Sequence, residues 1–543
     1  MTYLDFKKVT RFLQTTKYLK FFQIIYRFKF FFKFEFKFVE LVLNLREQKN
    51  WIAHKNKRSS QIMDGELILL NSVGKINSWK PKNKSLLWKY HLHYFDYASD
   101  KLSQRESELV SLTINDWVDS NKSTKEFSWD PYPLSLRIVN WIKFHINESK
   151  LSDKAVKSLS NQAQYLYKNL EFHLYGNHLF RNAKALCFVG AFFDTKESKK
   201  WLSKGIKILK NELKEQLLED GGNFELSPMY HCNMTEDILD LINLFKAYPN
   251  LIDEELNKSL NESIKKMIFW LEEMCHPDGE VSFFNDSVLK NALTLNQLKD
   301  YAKLLSVDLM ASEKIINKIV HLEHSGYATF QSNEFKLICD IGKIGPNYIP
   351  GHGHADILSF ELSVFGKRIF VNSGTSLYEE SLKRLNQRET NAHNTVEIDE
   401  KSSSDVWRSF RVGKRAWPIN VYVGKRNISA THNGYSRLGN NLNHKRNWEI
   451  NQNKIEIIDL ITGNFKTAKA YFHIQPDLMI DQDHENELKI YPTNQDFFLK
   501  FLASEPISLL DSIWYPEFGK EVPNKVICIP FKSSSLNTII QVS

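Results

Sequence analysis

The hydrophobic period of this chain changes once, near its middle, and that change limits the folds open to it. From Leu86 to about Leu322 apolar residues recur at helical spacing. Leu159, Ala163, Leu166, Leu170 and Leu174 make one stripe, and Leu202, Ile206, Leu209, Leu213 and Leu217 make another. Asp220-Gly221-Gly222, Tyr248-Pro249-Asn250 and His276-Pro277-Asp278-Gly279 supply the stops between helices. After about His324 the segments are short and alternating or β-branched, as at 336–340, 359–364, 395–398 and 454–461, with Gly, Asn and Asp turns between them. Helix hairpins followed by strands predict a ring or solenoid of helix pairs, then an antiparallel β-sandwich.

At 543 residues the chain exceeds what one core can organise. Three parts are expected: a basic, aromatic segment over 1–85 that packs on the helical domain, a helical domain over 86–322, and a β domain over 323–543. The first part is dense in Phe, Tyr, Leu and Lys. Lys17, Lys20, Arg27, Lys29, Lys33, Glu35 and Lys37 interrupt it too often for an apolar span of about 20 residues, and no small-residue cleavage site follows. The expectation is therefore no signal peptide and no transmembrane segment. Apolar elements packed beneath the next domain are preferred to a basic amphipathic segment making peripheral membrane contact. Five scattered cysteines without CxxC spacing read as reduced or buried thiols, which suits the cytoplasm, with the periplasm as the alternative. A net charge of +8 favours an acidic partner only weakly. With no zinc-finger spacing, phosphate loop or basic helix, nucleic acid is not expected, and an acidic polysaccharide is the remaining candidate.

Four stretches carry chemistry. Gly351-His352-Gly353-His354-Ala355-Asp356 puts two imidazoles on a turn ahead of a hairpin, whose strands flank Phe365-Gly366-Lys367. His393 returns a third, so three histidines can meet at one end of a sheet. That resembles a metal site, with Asp356 or Asn372 nearby, although an amide binds zinc poorly and Asp356 can instead orient a histidine. Gly176-Asn177-His178 follows the 159–174 stripe. It reads either as the C-terminal cap of that helix or as an amide and an imidazole projecting into a cleft. The loop from Asp220 to His231 carries Glu225 and Tyr230 among Gly, Asn, Ser and Pro. Trp129-Asp130-Pro131-Tyr132-Pro133-Leu134-Ser135-Leu136-Arg137 suits either stacking on sugar faces and pairing with an acid group, or core packing.

Taken in order, these stretches resemble the heparinase II/III family of polysaccharide lyases, in the branch met among bacterial surface-polysaccharide genes. The resemblance rests on the Trp129–Arg137 run, Gly176-Asn177-His178, Phe224 through His231, His352 through Asp356 with Ser373-Gly374-Thr375, and Arg388 through Val396. It implies an incomplete (α/α) toroid followed by an antiparallel β-sandwich, with the cleft between them. It further implies β-elimination of a uronate-containing polysaccharide. Asn177, helped by His178, would neutralise the uronate carboxylate; Tyr230 would donate to the leaving oxygen and serve as base in some members; His352 would be its partner histidine. Trp129, Tyr132, Arg137, Glu225 and Arg388 are expected to bind substrate. His354 and His393 match two ligands of a structural zinc, and Asn372 stands where the third, an aspartate, would be. Two other readings remain. A hydrolase on the same scaffold would need paired carboxylates among Glu225, Asp286 and Asp356, and a non-catalytic glycan-binding protein would keep only the aromatic cleft.

Overall fold

The computed structural model describes residues 3–32, 35–54, 60–63, 66–75, 78–99, 102–147, 151–309, 315–439, 441–493 and 497–543. Its helices are α1 (Tyr3–Thr16), α2 (Phe21–Phe31), α3 (Leu86–Leu92), α4 (Gln104–Ser120), α5 (Pro131–Asn147), α6 (Asp153–Lys168), α7 (Gly176–Phe192), α8 (Lys196–Gln216), α9 (Pro228–Ala247), α10 (Glu254–Met274), α11 (Leu295–Leu304) and α12 (Leu382–Arg388). Helices α5, α7 and α9 touch one another in an inner row, and α6, α8 and α10 pack outside them. The sequence dictates this assignment. Nearly every residue of α7 and α9 is buried, including the charged Lys184, Asp237 and Asp240, which pair with one another. The outer helices carry one apolar stripe and many charges, and bury only that stripe. This is the expected toroid of helix pairs.

The inner helices begin at one end of the ring, and their first turns hold Tyr132, Asn177, His178 and Tyr230. Gly176 opens α7, whereas the helix before it has already ended at Lys168. The C-cap reading of Gly176 and Asn177 is thus corrected: they start a helix. Gly176 has φ +57, and a Cβ there would lie 2.5 Å from Glu225 Oε1, so the position requires glycine twice over.

All strands after α11 pair antiparallel, as expected of a sandwich, and the first begins at Lys318. A five-stranded sheet runs in chain order from Lys318–Leu322 to Lys367–Phe370, and includes the hairpin turning at Phe365 and Gly366. A four-stranded sheet, an eight-stranded sheet and a two-stranded hairpin of Val406–Trp407 with Arg411–Val412 complete the half, around a core in which Phe360, Phe370, Phe472 and Phe501 meet edge to face or tilted. The two halves join through polar contacts as well as apolar ones. His276 Nε2 lies 2.8 Å from Glu361, and Arg368 pairs with Asp278 at 2.7 and 3.0 Å. Burial pushes the Glu361 carboxyl up to about 7.

The N-terminal segment does not pack on the helical domain alone. Helix α2 lies against it, with Gln23 buried and Phe30 stacked on His173 at 4.3 Å. Helix α1 docks on the β half instead, where the Arg11 guanidinium grips Asp405 and Thr15 donates to the Val412 carbonyl. The outer face of α2 stays apolar and exposed at Phe21, Ile25 and Phe28. Residues 61–75 contain a three-stranded sheet. Among the described residues no helix is long and apolar enough to cross a membrane, and all five cysteines are buried and unpaired.

Candidate active site

A cavity of about 800 Å³ lies between the helical ring and the β half, within the range of ligand clefts. One wall is built from the first turns of α5, α7 and α9. The positive ends of their dipoles favour an anionic ligand. The opposite wall is the 348–352 loop, Tyr378 and the 408–412 loop.

Tyr230 and His352 face one another across this cleft, with ring centroids 4.0 Å apart and planes inclined by 33°. The Tyr230 hydroxyl also meets that of Tyr378 at 3.2 Å. Burial pushes the Tyr230 phenol well above its ordinary range, and the neighbouring Tyr378 adds to this. His352 Nδ1 lies 2.9 Å from Asp286 Oδ2, and its Nε2 is 3.6 Å from Glu225 Oε2. Burial alone would raise the Asp286 carboxyl, but Arg384, at 2.5 and 2.7 Å, and the two histidines hold it well below the usual range. An ionised carboxylate only accepts, so the His352 proton sits on Nδ1 and the Nε2 lone pair faces the cleft. The same Asp286 also takes His354 Nε2 at 2.9 Å.

On the helical wall, the Asn177 backbone N–H donates to Glu225 Oε1 at 2.9 Å, while Asn177 Oδ1 is buried with no partner. His178 Nδ1 is 3.0 Å from Glu171 and its ring lies 4.3 Å from that of Tyr132. The Glu171 carboxylate fixes the proton on Nδ1 and turns Nε2 outward. Arg181 pairs with Asp237 at 3.0 Å and lies over the Tyr132 ring.

Asn177, His178, Tyr230, His352, Tyr132 and Glu225 thus come together at the cavity. Glu225 is only 3% exposed. It stands behind Asn177 and His352 and links them, so its first role is positioning rather than substrate contact. Three expected binding residues are corrected. Trp129 is buried between Trp117 and Tyr165 and donates to the Asn121 carbonyl. Arg137 is fully buried over Trp117, donating to Gln162 and the His93 carbonyl. Arg388 is fully buried and donates to the Gly353 carbonyl, so it braces the histidine turn from behind.

The donor set around His354 and His393 does not make a zinc site. Their facing nitrogens are 3.1 Å apart, but Asn372 Oδ1 accepts from the Asn394 backbone N–H, leaving only its Nδ2, a donor, without a partner. Zinc takes at least three protein ligands. Among the described residues no third His, Cys, Asp or Glu joins the two rings. No step below therefore involves a metal.

Arg384, Tyr378 and Glu171 lie outside the motifs that drew attention in the sequence, and Asp286, named there as a carboxylate for a hydrolase, instead orients His352. Asp286 had one available signal, the polar run Asn285-Asp286-Ser287 directly after two phenylalanines and a helix stop.

Residues 85–309 match the family model for the heparinase II/III N-terminus, and residues 317–543 that for the heparinase II/III-like C-terminal domain. A heparin-sulfate lyase of Bacteroides stercoris is 26% identical over 75% of this chain and 66% of its own length. One of Pedobacter heparinus is 25% identical over 60% of this chain and 53% of its own length. The aligned part of the chain thus spans somewhat less than two thirds of these relatives. A crystal structure of heparinase III superposes with a TM-score of 0.67 at 18% identity, covering 86% of this chain and 79% of that one. A heparan sulfate lyase from Pedobacter heparinus gives 0.55 at 20% identity, covering 86% and 78%. These structures share the fold.

Proposed function

The chain belongs to the heparinase II/III family, and from that premise we propose that it is a polysaccharide lyase, cleaving a uronate-containing acidic polysaccharide by β-elimination. The observation that carries this reading is the pairing of Tyr230 with His352 across the cleft, each in a different protonation role. The motif resemblance supports bacterial surface-polysaccharide metabolism as its setting.

The proton at C5 of a uronate is too weakly acidic to be removed while the adjoining carboxylate is charged. The unpaired Asn177 Oδ1 can accept from a protonated carboxyl group, and the outward His178 Nε2 offers a second polar contact. His352 Nε2, its lone pair fixed by Asp286, takes the C5 proton. The C4–C5 double bond forms as the C4–O4 bond breaks. Tyr230, kept as a neutral phenol by burial, gives its proton to O4. Proton exchange with water then restores both groups. Glu225, 3.6 Å from Nε2, favours the imidazolium that forms. A hydrolase would need two carboxylates flanking the sugar. Of the three candidates, Asp286 is wholly buried and bound by Arg384, Asp356 is buried and accepts from the Asn285 N–H, and Glu225 stands behind Asn177, so none of them is placed to flank a sugar.

The test is ultraviolet absorbance of the conjugated product on a panel of heparan sulfate, chondroitin sulfate, hyaluronan and other uronate polymers. Absorbance rises with the wild-type protein, and Tyr230→Phe slows it about 10²- to 10⁴-fold with an unchanged melting temperature. New reducing ends without absorbance would sink the proposal.

A further inference from the structure

The cleft holds two guanidinium groups that this mechanism leaves unused. Arg27, on α2, and Arg411, beside the 408–410 loop, both line the cavity. Neither forms an ion pair with a described residue, and Arg27 Nε is buried without any partner. They lie near enough for the charge of Arg411 to depress the Arg27 pKa, after burial itself. Three of the cavity carboxylates are engaged elsewhere. Asp237 and Asp240 are held by Arg181, Lys184 and Lys143, and Glu380 lies 3.5 Å from Arg408. Two like charges held together, half-buried and without a counter-ion, are unfavourable until an anion arrives.

The fold nevertheless fixes this pair. Lys20 bonds Glu215, Phe30 stacks on His173, and Arg11 grips Asp405 on the hairpin that carries Arg411. The α1–α2 strap thus runs from the helical ring to the β half and delivers Arg27 between them. It precedes the residues that match the family, which begin at residue 85, so this contribution belongs to the chain itself rather than to the shared domains.

We propose that Arg27 and Arg411 form an anion subsite of the cleft, taking a sulfate or carboxylate substituent on a sugar neighbouring the one that is cleaved. A guanidinium fork matches the planar spread of such oxygens, and two forks can hold one anion from both sides. The placement along a sugar chain rests on the lyase reading; the anion chemistry does not.

The experiment measures binding of a heparan sulfate hexasaccharide and its unsulfated counterpart to the full chain by titration calorimetry. Tyr230→Phe serves as the background, which prevents turnover. Arg27→Ala and Arg411→Ala should each weaken binding about tenfold to a hundredfold, and Arg27→Lys should recover much of that loss. Loss confined to the sulfated sugar identifies sulfate as the ligand, and equal loss on both identifies carboxylate. Unchanged affinity in Arg411→Ala overturns the subsite, since that variant leaves the strap in place. The two readings fail separately. Arginine-dependent binding without any unsaturated product from the wild-type protein would remove the lyase and keep the subsite. Product formed with KM unchanged in both alanine variants would do the reverse.

Discussion

Two buried networks of this protein use the same parts. In one, Arg384 holds Asp286 at 2.5 and 2.7 Å, His354 Nε2 reaches that carboxylate at 2.9 Å, and His354 Nδ1 faces His393 at 3.1 Å. In the other, inside the large sheet, Arg446 holds Asp459 at 2.7 and 2.9 Å, His444 Nε2 reaches it at 2.7 Å, and His444 Nδ1 faces His432 at 3.3 Å. Two differences separate them. Only the Asp286 network carries a further histidine, His352, whose side chain keeps 16% of its surface open to the cleft. The Asp459 group is sealed, with its arginine, aspartate and His444 side chains fully buried. The proton placement differs too. His432 Nδ1 accepts from the Gly434 N–H, so its Nε2–H donates to His444, and two neutral rings close that chain. His393 Nδ1 must donate to the Glu389 carbonyl while His354 Nε2 donates to Asp286, so two neutral rings turn lone pairs toward each other and this chain does not close. Burial outweighs the charge and hydrogen bond of Asp286 and lowers the His354 imidazole to about 4, and it holds His393 well below its ordinary range, so both rings are neutral. An arginine–aspartate–histidine cluster is therefore not by itself an active site. Access for one imidazole makes the difference.

Substituting the two aspartates breaks the comparison most forcefully. Asp286→Asn should lower kcat about 10³- to 10⁴-fold, because the His352 tautomer is no longer fixed, and should cost about 3–5 kcal/mol by stranding Arg384. Asp459→Asn should cost a similar stability, read by urea unfolding, yet leave kcat of the folded protein unchanged. A rate loss for Asp459→Asn matching that of Asp286→Asn would dissolve the distinction.

The pH dependence is a smaller effect. Burial raises the Asp459 carboxyl, but Arg446 and His444 outweigh it and hold it down to about 2, below its unfolded value near 3.9. A depressed acid stabilises the fold above the unfolded pKa. That contribution, about 2 kcal/mol, should disappear as pH falls from about 4 to about 2, and should be missing from Asp459→Asn. On the catalytic side, the raised Tyr230 phenol stays protonated through pH 10, so Tyr230 should place no alkaline limb on kcat below that pH. A limb near pH 8 that vanished in Tyr230→Phe would reverse its assignment as acid.

The fold was legible because period and turn chemistry agree over long stretches, as in the 202–217 stripe and the hairpin at Gly366. The site was legible where a motif named residue types that suit the chemistry, as with Tyr230 and His352. It failed at Arg137 and Arg388. Sequence marks an arginine as surface-seeking, and only the packing reveals the carbonyls and ring that satisfy it in the interior. At Gly176-Asn177 it left two readings open, because glycine and asparagine suit the end of one helix as well as the approach to the next, and the structure keeps the cleft reading. Asp286 and Arg384 lie 98 residues apart in sequence, so their pairing exists only once the two halves meet.

Metal is the least expected effect. Chelation with EDTA should leave rate and melting temperature unchanged, since two imidazoles and an amide do not complete a zinc shell. One equivalent of zinc per chain by mass spectrometry would mean that a metal joins His354 to His393.

The central claim is elimination by a cleft made from both halves, and the most direct measurement is cleavage of a defined uronate oligosaccharide in H₂¹⁸O. Elimination predicts fragments whose masses sum to that of the parent, with no ¹⁸O incorporated. Fragments summing to the parent plus one water, carrying ¹⁸O, would contradict it.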